Sequence, residues 1–155
     1  MTSFIKIQEA IVSKLDEFAP DVDVNSSDIE EGFERPCFYV DMLDADVDDL
    51  ANNFSERKIE FDILYFPEDP KKNQKDLLNM RDILTKAFVE NREIKITDDL
   101  TAEAEHVKMF EIDKVLHCKF EVFIAEEYEK TYEHNMEELE FEGGVWWEQI
   151  TGYQS

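Results

Sequence analysis

The sequence predicts an α+β domain: a mainly antiparallel sheet with two packed helices and an acidic C-terminal arm. Three observations carry that expectation. Two stretches repeat apolar residues at three- and four-residue steps, which gives a helix one buried face. Several others alternate apolar and polar residues, the period of a strand. Their order (helix, strands, helix, strands) sets helices against a sheet.

The first helix is carried by Phe4, Ile7, Ile11, Leu15 and Phe18, with Ile5 and Val12 widening the stripe. Pro20 stops it, because its ring pushes Ala19 out of the helical region. A short strand is expected near residues 22–24. Residues 37–43 read as a stronger one, with Phe38, Val40 and Met42 on one face and Cys37, Tyr39 and Asp41 on the other. Pro36 sits at its start, where a missing N–H does least harm. In residues 58–66, Ile59, Phe61, Ile63 and Tyr65 alternate with Lys58, Glu60, Asp62 and Leu64. The strand ends at Phe66-Pro67, ahead of the turn-rich Glu68-Asp69-Pro70-Lys71.

A second helix is expected over residues 73–90, burying Leu77, Met80, Leu84, Ala87 and Phe88 with Ile83 beside them. Asn73 suits its N-cap and Asp76 its first turn. Residues 93–96 read as a short strand, and residues 103–111 and 115–125 as a hairpin around Asp113-Lys114. In the last strand Leu116, Cys118, Phe120, Val122 and Ile124 form a clean face opposite His117, Lys119 and Glu121.

The character changes after Glu126, so the chain divides into a domain over residues 1–126 and an arm over residues 127–155. The arm holds eight Glu and one Lys, a net −7, and three of the four glycines. Its Val145, Trp146, Trp147 and Ile150 are the candidate subunit-interface residues. Exposed apolar surface costs about 25 cal/mol per Å², so these side chains need cover. They either fold back on their own domain or dock on a neighbouring subunit.

Composition excludes several functions. Nineteen Phe, Tyr and Trp among 155 residues fill a real core, which argues against wholesale disorder. A formal charge of −23 repels nucleic-acid phosphates and anionic membranes, so specific nucleic-acid binding is not expected. No apolar run is long enough for a transmembrane helix. Gln8, Glu9, Asp16 and Glu17 interrupt what would be a signal-peptide core. Cys37 and Cys118 lie in apolar segments and read as reduced core residues of a cytosolic product.

Motif chemistry gives no catalytic, cofactor or metal residue, and an enzyme is not expected. The run Asp44-Ala45-Asp46-Val47-Asp48-Asp49 resembles a calcium loop but has Asp49 where Gly is needed and Ser55 where the bidentate Glu is needed; it reads as a solvated loop. His106, His117 and His134 lack zinc-ligand spacing, and His117 and Cys118 point to opposite faces of a strand. There is no Gly-rich phosphate loop and no nucleophile motif.

Three stretches then carry a resemblance: Glu31-Gly32-Phe33-Glu34-Arg35-Pro36-Cys37-Phe38-Tyr39-Val40, Phe61-Asp62-Ile63-Leu64-Tyr65-Phe66-Pro67 and Ile112-Asp113-Lys114-Val115-Leu116-His117-Cys118. In their order and spacing, over roughly residues 4–126, they resemble the tail-terminator (tail-completion) proteins of Gram-positive phages, prophages and phage-tail-like particles. The chain departs from that pattern at Lys114, where Gly is common, and in the arm.

The resemblance implies a structural virion protein. Copies would form a ring, typically a hexamer, on the head-proximal end of the tail tube, ending tail polymerisation and presenting the head or neck joining surface. Implied partners are other copies, the tail tube protein, the sheath protein of a contractile tail and a head/neck connector; the implied location is the virion tail, assembled in the host cytoplasm. The charge also fits an alternative: an acidic DNA mimic that inhibits a host nucleic-acid-binding protein.

Overall fold

The computed structural model describes residues 1–25 and 33–129. Ser3 opens the first helix: its hydroxyl accepts the Lys6 N–H at 3.2 Å, satisfying one of the free donors of the first turn. Helix α1 (Phe4–Phe18) buries Ile7, Ile11 and Leu15. It stops at Ala19, whose N–H bonds the Leu15 carbonyl at 2.8 Å, one residue before Pro20 as expected. Ile5 does not widen the buried stripe, being 71% exposed. It lies about 120° around the helix from the stripe's centre, at 3.6 residues per turn, while Val12 is partly buried against the core.

Strand β1 (Asp23–Asn25) pairs in parallel with the start of β2 (Cys37–Leu50), and every other strand pair is antiparallel. β2 returns as β3 (Phe54–Phe66) through the turn Ala51–Asn53, where Asn52 and Asn53 hold φ of 63° and 61°. Asn tolerates this left-handed region better than most residues. The run Asp44 to Asp49 is therefore strand and not the expected loop. Ala45 pairs with Ile59 and Val47 with Arg57, so the run already has a period of two. Asp44, Asp46 and Asp48 stay in water on the other face.

Helix α2 (Gln74–Thr85) continues through a wider π turn (Lys86–Glu90) and buries Leu77, Met80, Leu84, Ala87 and Phe88. Asn73 occupies the N-cap position, but its side chain does not cap the helix. Its amide instead donates to the Asp69 carbonyl at 3.0 Å and the Lys114 carbonyl at 3.5 Å, which ties the helix start to a distant turn.

Strands β4 (Glu93–Thr97), β5 (Leu100–Ile112) and β6 (Val115–Glu127) complete a six-stranded sheet in the order β1-β2-β3-β6-β5-β4. Asp113 and Lys114 both take positive φ, 52° and 62°, so the β5–β6 connection is the two-residue hairpin turn that usually favours Gly.

One sheet face packs on the helices and holds the core: Phe38 and Val40 from β2, Ile59, Phe61 and Ile63 from β3, and Leu116, Cys118, Phe120, Val122 and Ile124 from β6. Phe120 stacks between Phe61 at 5.9 Å and Phe88 of the π turn at 4.9 Å, joining sheet to helix layer. The Tyr65 hydroxyl donates to Asp76 at 2.9 Å. The opposite face carries no helix among the described residues.

Candidate assembly surface

The uncovered sheet face follows from strand alternation. Residues paired directly across antiparallel strands point to the same side, so the register fixes its rows. One row reads Asp41, Asp62, Lys119, Lys108 from β2 to β5; the next reads Asp44, Glu60, Glu121, Glu105. Lysines reach diagonally into the acidic row: Lys119 Nζ lies 3.6 Å from Glu60 and Lys58 Nζ lies 4.0 Å from Glu121. These pairs are partly exposed and each contributes little to stability. Their arrangement still divides the charges of the face: those carried by β2 are all acidic, while the bases sit on β3, β6 and β5.

His117 and His106 belong to this surface. His117 Nδ1 lies 2.8 Å from Asp62 and its ring stacks on Phe110 at 5.0 Å and 7°. His106 Nδ1 lies 3.0 Å from Glu121. Each histidine is thus held by one carboxylate. Cys118, adjacent in sequence to His117, points the other way into the core, and burial, with Asp62 adding to it, pushes its thiol up to about 12. That is the reverse of an activated nucleophile. Burial also raises the Cys37 thiol. No group of three or more His, Cys, Asp or Glu among the described residues is disposed to hold a metal ion, and no described helix is long and apolar enough to cross a membrane.

The far end of the β2–β3 hairpin is built differently. Arg57, almost wholly buried on the helix side, bonds Glu126 and lies under the Phe4 ring, 5.0 Å from its centroid. Thr2 donates to Glu126 twice, from its N–H at 3.1 Å and its hydroxyl at 2.9 Å. Burial works to raise the Glu126 carboxyl, but the Thr2 and Arg57 donors outweigh it and hold it below the usual glutamate range. The Tyr128 N–H donates to the Asn53 carbonyl at 2.8 Å and its hydroxyl bonds Asp49. Around this anchored tip Val47, Leu50, Phe54 and Phe123 are 41–52% exposed. Water-facing apolar groups ringed by carboxylates suit a contact surface better than a reaction site.

Val145, Trp146, Trp147 and Ile150, like His134, lie outside the described residues. The buried Arg57 was not foreseen; its neighbours come from the N-terminus and from β6, which no local pattern reveals. Nor was the continuation of β2 through its aspartates to Leu50, although Ala45 and Val47 alternating with aspartates carried the signal.

No curated protein matches the chain. The family model described as phage tail terminator protein matches residues 6–133, covering α1 from its third residue, the whole sheet and α2. That family is structural rather than enzymatic, in keeping with a face of paired charges and exposed apolar groups. On that match, the chain belongs to the phage tail terminator protein family.

Proposed function

We propose that copies of this chain form a ring, hexameric in the simplest case, that caps the head-proximal end of the tail tube. The ring ends tube growth and presents the surface that joins head or neck; in a contractile tail it also meets the last sheath ring. The family match over residues 6–133 carries this reading. The fold supports it physically. A tube of stacked identical rings grows because each ring re-creates the face it bound. A terminator must match that face on one side and differ on the other, and this protomer is strongly two-sided, with helices on one sheet face and a charged lattice on the other.

Val145, Trp146, Trp147 and Ile150 are proposed as anchors on a neighbouring subunit, since they are apolar side chains in an otherwise acidic stretch and need cover. The acidic-mimic alternative fits less well. A DNA mimic needs unbroken negative charge, whereas Lys58, Lys108 and Lys119 interrupt this face. Deleting the gene and measuring tails by electron microscopy tests the role: loss of a terminator gives tails of unregulated length, and an unchanged length distribution contradicts it.

A further inference from the structure

One end of the uncovered sheet face differs from the rest of this acidic molecule. Where β5 turns into β6, the register places Lys108 opposite Lys119, Phe110 opposite His117 and Ile112 opposite Val115 on that face. These six side chains include two lysines and no carboxylate, in a chain with 39 Asp and Glu against 16 Lys and Arg. Glu111 points to the helix side, where Arg81 lies 3.5 Å from it, and in the turn Asp113 and Lys114 offset each other. The carboxylates beside the patch on β3 are engaged: Asp62 lies 2.8 Å from His117 and Glu60 lies 3.6 Å from Lys119.

The patch is also apolar. Ile112 is 52% exposed, and Phe110, Val115 and His117 are half-buried. The Phe110 ring stacks on His117, and Lys108 Nζ lies 5.9 Å from its centroid. An apolar surface edged by lysine fits a partner that is both apolar and acidic.

The chain carries such a segment. Residues 130–150 hold six Glu and one Lys together with Val145, Trp146, Trp147 and Ile150. The last described residues lie at the opposite end of the sheet, where the Tyr128 N–H donates to the Asn53 carbonyl. The patch is roughly 33 Å away along β3, from Phe54 to Leu64. Residues 130–144 span at most about 50 Å, so the four apolar side chains can reach this patch on their own copy or on another.

Charge separates the two. Within one copy the direct path crosses Asp44, Glu60, Glu121 and Glu105, a row of four carboxylates from β2 to β5, which repels the glutamates of the segment. The nearer apolar groups Leu50, Phe54 and Phe123 share their face with Asp46, Asp48, Glu56 and Glu127 against Lys58. The patch of a neighbouring copy is approached from beyond its β5–β6 turn, without crossing either.

We infer that Val145, Trp146, Trp147 and Ile150 of one copy dock on Phe110, Ile112 and Val115 of the next, with Lys108 and Lys119 facing the glutamates of the incoming segment. This rests on the reading of those four side chains as anchors on a neighbouring subunit and names the surface that receives them. Donor and receiver are different parts of the chain, so the contact is heterologous and passes from copy to copy.

The test uses the full chain. Trp146 and Trp147 are its two tryptophans, so indole emission reports the segment directly. Emission should be blue-shifted where the chain self-associates and should move to the red on dilution. Lys108→Glu/Ile112→Glu should give red emission at every concentration and weaken self-association roughly tenfold or more. Trp146→Ala/Trp147→Ala should weaken it equally. Mixing these two variants should give a dimer of unlike chains and nothing larger, since one keeps the segment and the other the receiving patch; this also shows that neither variant is merely misfolded. A mixture that stays monomeric overturns the contact. So does blue emission that does not depend on concentration, which means that the segment covers its own copy. Concentration-dependent blue emission unchanged by Lys108→Glu/Ile112→Glu removes this patch and leaves the anchoring standing. Trp146→Ala/Trp147→Ala associating like the unsubstituted chain removes the anchoring itself.

Discussion

Arg57 and Glu126 form the ion pair that fastens the N-terminus to the far end of the β2–β3 hairpin. Side-chain exposure is 3% for Arg57 and 16% for Glu126. Thr2 and Phe4 complete the cluster, so one guanidinium organises residues far apart in sequence. Removing one partner of a buried pair leaves an uncompensated charge, which costs about 3 kcal/mol or more. Glu126→Ala should therefore destabilise the fold by roughly 2–3 kcal/mol, given the partial exposure of the carboxylate. Arg57→Met combined with Glu126→Gln should recover most of that loss. Urea unfolding of the two variants and of the unsubstituted chain checks both outcomes.

The same carboxylate sets an acid limb. Its folded pKa lies below the unfolded value, so its contribution is fully present above the usual glutamate value of about 4.3 and is lost as pH falls through the lower folded value. Between roughly pH 5 and 3 the unsubstituted chain should lose more stability than Glu126→Gln, which cannot titrate there. Equal slopes for the two would show that the pair does not contribute this dependence.

Cys118 makes the opposite prediction at high pH. Burial raises its thiol from 9.0 to about 12. Its stabilising contribution is therefore full below 9.0 and declines as pH rises toward about 12, because the unfolded thiol ionises first. Cys118→Ala, although less stable at neutral pH through its cavity, should show a flatter decline above pH 9. In the native protein neither cysteine should react with an aromatic disulfide reagent at neutral pH; both should react after denaturation.

The β5–β6 turn holds Lys114 at a φ of 62°, a region that costs most residues about 1 kcal/mol or more. The same side chain donates to the Lys71 carbonyl at 2.7 Å in an exposed setting, a bond that contributes less than a buried one. Lys114→Gly should thus stabilise the fold by up to about 1 kcal/mol, seen as a rise in Tm.

How much of this was legible depended on whether the cause was local. The α1 stripe of Ile7, Ile11 and Leu15, the α2 stripe and the two faces of β2 and β6 were readable, because a repeating period against one core fixes them. The strand over Asp44 to Asp49 was not, since aspartate disfavours strands and only pairing with β3 overrides that preference. Ile5 on α1 misled because apolar character does not say which face a neighbour covers. The sheet order and the burial of Arg57 arise from strands meeting across the chain, and no local window contains them.

A terminator is defined by where it sits. Labelling the chain in purified tails and locating the label by cryo-electron microscopy should place a single ring at the head-proximal end of each tail and nowhere along the tube. Label distributed along the tail, or tails that lack the chain altogether, would contradict it.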